Sequence, residues 1–524
     1  MIRVRDHTAT LGLVLGLLLL WEVAGQLRWV ADGTLPPLSG IFTRLVSEWR
    51  EYSPHVIATL RSASLGFVFG NVVAVLAAVC FCLWPLTERL FRGINIAAFT
   101  VPPIAVAPVL VIALDGDVAR ITLAALLVYF PTMTAALAGM QSADPGAIDL
   151  IRAYGGTDFK LMRHLRLRNA LPFIMSGFQV AAPAAVLGAI LAEFGSGARW
   201  GLGTFLLGSL GRAEPDRLWG IGLTATAIAG LGYALSAILA ARMTDTNRAV
   251  NVSVAAPAAE AATDSQWKRA MALAAAILLP FLIWQLLLWW AELSPIIAKT
   301  PLGVVDYLLT GKTAASAQER LFAALAETIP ITIFGMLVGL GVAFGLALLS
   351  FTSPIVTRAL LPFALVTQTM PLVALTPLAV LVFGRGVTVT LVITISVTFF
   401  AAFVVLVQGF ALIPRAAFDL VSVYGASTTK KLNLIAIPAS RQWIFVAARL
   451  ALPKALLGVM IAEWLATGKG LGNLLNQSRG YLDYGMIWTV AIVSILLSIL
   501  LYQLAGLAEW WLSRRPADGS KSWN

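Results

Sequence analysis

Charge is scarce in this sequence. Asp, Glu, Lys and Arg make up only 12% of its 524 residues, while 59% are hydrophobic. A soluble domain carries about 25% charged residues, so the surface of a water-exposed globule cannot be built from this supply. Cysteine is almost missing as well. Cys80 and Cys82 stand two residues apart in one apolar block, where a helix points them in different directions, so neither a disulfide nor a metal site is indicated. No G-x-x-x-x-G-K-[ST] phosphate loop occurs. Gly311-Lys312-Thr313 comes nearest, but Asp306 stands where the first glycine is needed. The short alternating segments of a membrane β-barrel are also absent.

The apolar residues are gathered in long blocks. A helix needs roughly 20 of them to cross a hydrocarbon core about 30 Å thick, and only a helix satisfies its own backbone there. The chain therefore reads as an all-α polytopic membrane protein. Its net charge of +11 does not point to nucleic acid, because the basic residues are not clustered on an aromatic-interleaved patch. They occupy short loops, as in proteins whose orientation is set by their charges. The block from Leu11 to Val30 follows Arg3 and Arg5 like a signal peptide. An equivalent block, Met271 to Trp290, follows Lys268 and Arg269 in mid-chain, so both read as transmembrane helices.

An internal repeat sets the architecture. Shifted by 269 residues, Thr59, Gly66, Gly70, Thr100, Pro102 and Pro108 meet Thr328, Gly335, Gly339, Thr369, Pro371 and Pro377. Shifted by 270, Asp149, Tyr154, Gly155, Lys160, Pro183, Gly188 and Glu193 meet Asp419, Tyr424, Gly425, Lys430, Pro453, Gly458 and Glu463. Each half reads as six helices, near 8–30, 57–84, 90–114, 119–141, 169–192 and 217–242, then 269–291, 326–350, 358–383, 387–412, 441–466 and 484–512. An even count returns each half to its starting side, which makes the repeats parallel. The expected division is a first domain over 1–243, a cytoplasmic tether over 244–268 and a second domain over 269–524. With both termini in the cytoplasm, the inside loops hold Arg152, Lys160, Arg163, Arg166, Arg168, Lys430 and Lys431, and the outside ones fewer, among them Arg44, Arg50, Arg199, Arg212 and Arg217.

The longest polar interruption of each half falls between its fourth and fifth helices, at Asp144 to Pro172 and Pro414 to Gln442. Each block reads as two short helices joined by a hinge. Asp144-Pro145 and Pro414 suit helix starts, and Gly155 and Gly425 suit a left-handed helix end. Thr157 or Asp158, and Ser427 or Thr428, can cap the second short helix. These blocks resemble the EAA loop of binding-protein-dependent ABC permeases, an acidic residue and two small ones, three others and a glycine, with a proline further on. Asp149 and Asp419 stand where the family has Glu, and Pro438 takes the later proline, where the first half has Arg168. Leu150-Ile151 and Leu420-Val421 replace the small pair.

Two more segments agree. TVPPIAVAPVLVIALDG and TMPLVALTPLAVLVFGRG resemble helix three of the sulfonate, taurine and nitrate type permeases, apart from Asp115, which stands against Gly384. LAEFGSGARWGLG and IAEWLATGKGLG resemble that group's Ala-Glu followed by Gly-Leu-Gly. The resemblance covers nearly all of both halves and implies a type I importer permease in the bacterial inner membrane. It implies two cytoplasmic ABC ATPase subunits as partners, seated on Asp149, Tyr154, Gly155, Lys160, Arg163, Asp419, Tyr424, Gly425, Lys430 and Pro438. A periplasmic substrate-binding protein would deliver a small, anionic organic solute. The chain itself would need no cofactor and do no covalent chemistry; ATP belongs to the partner subunits, and nucleic acid is not expected.

Pathway residues are expected on helices three and five: Pro102, Pro108, Pro371 and Pro377, with Glu193 and Glu463 at outer helix ends, either solvated among headgroups or serving as a gate or docking point. Lys454 lies roughly 20 Å along the helix from Arg441, deep in the core, where a charge usually faces a wet cavity or a bundle interior. A secondary transporter of twelve helices in two parallel halves is the main rival. It would need a coupling carboxylate in the membrane and a basic loop between helices two and three, and the loop reads WPLTERL. An exporter with its own nucleotide domain would need the missing phosphate loop.

Overall fold

The long apolar blocks are helical in the computed structural model, which describes residues 2–30, 33–114, 116–212, 214–243, 266–353 and 372–513. The first half contains α1 (Ile2–Gln26), α2 (Leu38–Ser47), α3 (Trp49–Leu83), α4 (Pro85–Thr100), α5 (Pro103–Ala113), α6 (Gly116–Gln141), α7 (Pro145–Ala153), α8 (Asp158–Ser196), α9 (Leu202–Arg212) and α10 (Pro215–Met243). The second contains α11 (Gln266–Trp290), α12 (Pro301–Thr310), α13 (Ala314–Thr352), α14 (Leu372–Phe383), α15 (Val387–Ala411), α16 (Arg415–Val423), α17 (Thr428–Thr467), α18 (Gly470–Gly480) and α19 (Tyr484–Ser513). Among the described residues eight helices are each long and apolar enough to span a membrane, and α4 with α5 make a ninth as a bent pair. Shorter apolar stretches, Leu15–Gln26 and Leu278–Trp290, supply the first helix of each half. The fold is that of an all-α polytopic protein made of two repeats.

The structure departs from the sequence reading in three places. Helix three of the first half is not one helix with kinks. It breaks at Val101-Pro102 and turns by 104° between α4 and α5, because two successive prolines, Pro102 and Pro103, remove two backbone donors and disfavour the α conformation before them. Helix five starts about a dozen residues earlier than expected in each half, at Asp158 and Thr428, so the second short helix of each polar block is its first turn. Helices two are likewise longer, starting at Trp49 and Ala314. Residues 244–265 of the expected tether, Asp115 and Pro371 lie outside the described residues, and the tether's last three, 266–268, already belong to α11.

Lipid gives helices no hydrophobic reason to associate, so close approach of small residues has to hold them. A Cβ on Gly70 would lie 2.6 Å from the Ala125 carbonyl oxygen, and one on Gly188 2.7 Å from Ala124 Cα. Thus α3, α6 and α8 cross on glycine and alanine. The second half repeats the crossing with Gly335, Thr394 and Gly458, a Cβ on Gly335 meeting the Thr394 methyl at 2.7 Å. Near the end opposite α7 and α16, Trp21 packs edge-on to Trp219 and Trp284 stacks on Trp488. The indoles of Trp219 and Trp488 each donate to a loop carbonyl, Thr34 and Ile297, at 3.0 Å.

The fifth helices, α8 and α17, are the most enclosed, with 61% and 67% of their apolar windows buried, against 11–44% for the other spans. One continuous apolar core contains residues of both halves. The halves also trade elements: α11 of the second packs on α4 of the first, α14 on α10, and α19 on α5.

Candidate coupling surfaces and translocation pathway

Each polar block folds around its glycine. Asp144 caps α7 by accepting from the Ala147 amide at 2.9 Å, with Pro145 in the first turn. The helix ends at Tyr154, and Gly155 takes φ +73°, which lets the Gly155 and Gly156 amides return to the Arg152 and Ile151 carbonyls at 2.9 Å. In the second copy Gly425 has φ +72°, and its amide and that of Ala426 reach the Ser422 and Val421 carbonyls. Thr157 and Ser427, rather than Asp158 and Thr428, supply the next caps.

Both copies then pass through a π-turn, Met162–Arg166 and Leu432–Ala436, into the long fifth helix. Only the second has a proline nearby, Pro438, so proline does not cause the turn. In the first copy the Arg166 guanidinium ties it to α3, donating to the Cys82 carbonyl at 3.3 Å.

The structure brings all the expected coupling residues to one end. Asp149, Tyr154, Gly155, Lys160, Arg163, Asp419, Tyr424, Gly425, Lys430 and Pro438 are exposed. Large apolar side chains stand out beside them: Tyr154 is 86% exposed, Val423 84% and Tyr424 83%, with Leu150, Phe159 and Leu420 also bare. This is more apolar surface than a loop in water or headgroups needs to show.

Of the prolines expected along the pathway, Pro102, Pro108 and Pro377 are buried. The α4–α5 break frees the Thr100 carbonyl, and Ser498 of α19 in the other half donates to it at 2.6 Å. Lys454 lies on α17 with Arg441 and Thr467 each thirteen residues away, roughly 20 Å on either side. It is half-buried, in a stripe with Val446 and Leu450. The neighbouring stripe, Ala451 and Ala455, is fully buried with Met336 and Leu501. Helices α13, α15 and α19 pack on α17 from its own half and α5 from the other. Lys454 has no hydrogen bond or ion pair to another described residue.

Glu193 and Glu463 are not where the sequence suggested. They do not face headgroups; each is buried, at 1% and 2% exposure. Thr59 donates to Glu193 Oε1 at 2.6 Å, and the Gly203 amide donates to Oε2 at 2.7 Å. Thr59 Oγ1 accepts in turn from the Leu202 amide at 2.8 Å. Leu202 and Gly203 open α9, so a carboxylate on α8 and a hydroxyl on α3 together cap the start of α9. The second half repeats every bond. Thr328 donates to Glu463 Oε1 at 2.8 Å, and the amides of Leu471 and Gly472 reach Thr328 and Glu463 Oε2 at 2.9 Å.

This explains the Gly-Leu-Gly spelling. A Cβ on Gly201 or Gly470 would fall on the Glu carboxyl, and both glycines have positive φ. His55 is added only in the first half, its Nδ1 lying 3.0 Å from the Gly201 amide nitrogen; Ala324 takes its place in the second.

Sequence reasoning missed Thr59 and Thr328 as partners of the two Glu residues, although the repeat had already paired them. It also missed a latch between the halves, where Arg479 of α18 donates to the Phe194 carbonyl at the end of α8, at 2.7 Å.

The comparisons with known proteins fit this duplicated construction. The model of the family "Binding-protein-dependent transport system inner membrane component" matches twice, over residues 70–247 and 320–516. The riboflavin transport system permease protein of Chloroflexus aurantiacus is 32% identical over 161 residues, which are 31% of this chain and 60% of that protein. The formylaminopyrimidine transport permease protein of Halalkalibacterium halodurans is 26% identical over 207 residues, 40% of this chain and 81% of its own length. A protein of Escherichia coli K12 named for aliphatic sulfonates transport as a permease is 28% identical over 184 residues, 34% of this chain and 70% of its own. Each relative is thus about half as long as this chain. With both halves matched by the same family model, the chain belongs to the binding-protein-dependent transport system inner membrane components, the permeases of ABC transport systems.

Proposed function

We propose that this single chain supplies both permease domains of an ABC importer, 1–243 and 269–524 joined by a cytoplasmic tether at 244–268, in a bacterial inner membrane with both termini inside. The observation that carries this reading is the duplicated short helix with its left-handed glycine, α7–Gly155 and α16–Gly425, exposed with bare apolar side chains at one end of the molecule. Two apolar knobs fit two clefts, one in each of two cytoplasmic ATPase subunits. Asp149, Tyr154, Lys160 and Arg163 line the first contact, and Asp419, Tyr424, Lys430 and Pro438 the second.

The opposite end, with α2, α9, α12 and α18, receives a periplasmic binding protein. The charged cluster beside α2 supports that placement, because Arg44 and Arg217 are neutralised there by Glu48, Glu51 and Glu214, while Lys160 and Arg163 stand exposed at the coupling end. The chain makes and breaks no covalent bond; ATP is bound and hydrolysed by the partners.

Native mass spectrometry of the co-purified transporter tests the stoichiometry. One copy of this chain with two ATPase subunits is expected, and two copies in the active complex would end the proposal.

The substrate is a small organic anion that passes Lys454 between the halves. Support comes from the uncompensated lysine at mid-depth on the most enclosed helix and from the likeness to a permease named for aliphatic sulfonates. Lys454→Ala should reduce uptake and Lys454→Glu abolish it, both at normal surface expression. Unchanged uptake in both variants removes Lys454 from the pathway.

A further inference from the structure

The first half carries a groove whose arginines its repeat does not keep. About 550 Å³ in volume, it lies between α3, the start of α6 and the loop entering α9, and is lined by Pro54, Ile57, Arg61, Arg120, Arg199 and Trp200 among others. Among the described lining residues the one acid, Asp117, is already ion-paired with Arg120. Arg120 is also committed structurally, donating to the Trp200 carbonyl at 2.9 Å. Arg61 and Arg199 are exposed. Arg199 sits 4.9 Å from the centre of the Trp200 ring, and Arg61 has no hydrogen bond or ion pair to a described residue. Three guanidinium groups against one carboxylate give the described lining residues a net charge of about +2.

Depth and surroundings identify what that charge meets. Arg61 stands 22 residues from Leu83 at the far end of α3, roughly 33 Å along the helix. Arg120 stands 21 residues from the end of α6 at Gln141, roughly 31 Å. Both therefore lie about one hydrocarbon thickness from the coupling-side interface, at the headgroup level of the opposite leaflet. One and two turns further toward the bilayer centre α3 is bare and apolar, Leu65 being 36% and Val68 56% exposed, and Trp200, 41% exposed, stands at the boundary that tryptophan favours.

The fold does not require these charges. Pro330 and Thr390 take the places of Arg61 and Arg120, and the shorter second loop offers only Lys469, which is paired with Glu327 at 3.5 Å.

We propose that this groove is a binding site for the phosphate headgroup of an anionic phospholipid from the leaflet opposite the coupling helices. Arg61 and Arg199 hold the phosphate, Arg120 fixes the wall and adds its field, and the acyl chains run down α3 toward the bilayer centre, past Leu65 and Val68. A free anion would gain nothing from that apolar flank, which is why the site is assigned to lipid.

The test is lipid retention by the purified full chain, measured by native mass spectrometry after titration with phosphatidylglycerol or phosphatidylcholine. Phosphatidylglycerol should be retained preferentially. R61A/R199A should weaken that retention on the order of tenfold or more while leaving phosphatidylcholine binding unchanged, and R61K/R199K should keep most of it. Should the double variant elute as aggregate, Arg61→Gln and Arg199→Gln singly carry the test, each with a partial loss. Equal retention of phosphatidylglycerol in wild type and variants overturns the proposal. So does its displacement by an equal concentration of inorganic phosphate, which would make this an anion site indifferent to lipid.

Discussion

Replacing Thr59 with valine removes a hydroxyl from the protein interior and almost nothing else. The side chain is fully buried, its volume is kept, and its Oγ1 makes two hydrogen bonds, one accepted from the Leu202 amide and one donated to Glu193. Without it the Leu202 N–H and one carboxylate oxygen both lose their partner in a place water does not reach. A buried group left without a partner costs about 1–3 kcal/mol, with carboxylates at the upper end. The start of α9 should therefore open more easily by roughly 2–4 kcal/mol. At about 1.4 kcal/mol per factor of ten, amide hydrogen exchange at Leu202 and Gly203 should accelerate by some 30- to 1,000-fold, while exchange in the middle of α6 stays the same.

Thr328→Val makes the parallel change at Leu471 and Gly472. Its effect should be the larger of the two, since His55 still holds Gly201 in the first half and Ala324 offers nothing in the second. Exchange measured by mass spectrometry on peptides covering 197–212 and 465–480 reads both. Unaltered exchange at Leu202 in Thr59→Val would refute the idea that the hydroxyl and carboxylate cap α9.

Gly425→Val should abolish coupled uptake at normal membrane levels, because φ +72° costs a side-chain-bearing residue about 1–2 kcal/mol and a β-branched one more. Gly425→Asn, which tolerates that conformation, should restore most of the uptake, and equal activity of the valine and asparagine variants would dismiss the hinge. In the charged cluster beside α2, burial raises the Glu48 carboxyl, but hydrogen bonds and charges from Arg217 and Arg44 outweigh it and hold Glu48 below its ordinary value of 4.5. Its contribution to stability is thus complete above pH 4.5 and is lost as the pH falls through the lower, folded-state value. Thermal unfolding followed against pH should show wild type losing stability below that point more steeply than Glu48→Gln; identical slopes would mean the Arg217–Glu48 pair contributes nothing.

Much of this was legible because duplication acts as an internal control. Gly155 and Gly425 were readable as left-handed helix ends from local sequence alone, since a positive φ is a property of one residue and its neighbours. The same holds for the caps at Thr157 and Ser427. Glu193 and Glu463 were misread because their environment is made by residues far along the chain: Thr59 lies 134 positions away and Thr328 135. No window of sequence reveals that a helix end is roofed by another helix's first turn. The 104° break at Pro102 was understated for a similar reason. Prolines announce a bend, but its size depends on what receives the freed Thr100 carbonyl, and that is Ser498 in the other half. The long start of α8 and α17 was hidden by the polar, basic character of 158–168 and 428–441, which reads as loop yet is helical because one end of a spanning helix projects into water.

The two halves share their glycine crossings, Glu–Thr caps and coupling helices, and differ in several isolated charges. Lys454 faces Ala184, Arg449 faces Gln179, Arg479 faces Leu210 and Arg61 faces Pro330 across the repeat. In a permease of two identical subunits every side chain near the axis occurs twice. Two lysines meeting in a narrow pathway would repel, by about 1 kcal/mol at 4 Å in water and several times that beside protein. A fused chain escapes that constraint. On the pathway proposed above it can keep one lysine and leave alanine at the repeat-related position, and it can join the halves by an Arg479–Phe194 contact without the mirror contact, because Leu210 stands where Arg479 does. The covalent link thus does more than keep two domains together. It lets the skeleton stay symmetric, as the two proposed ATPase contacts would require, while the charges around it become one-sided. Introducing lysine at Ala184 tests this directly. A184K beside the native Lys454 should lower uptake, and A184K with Lys454→Ala should recover part of it, because a single charge near the axis then remains. If A184K alone leaves uptake unchanged, the two positions do not share one pathway.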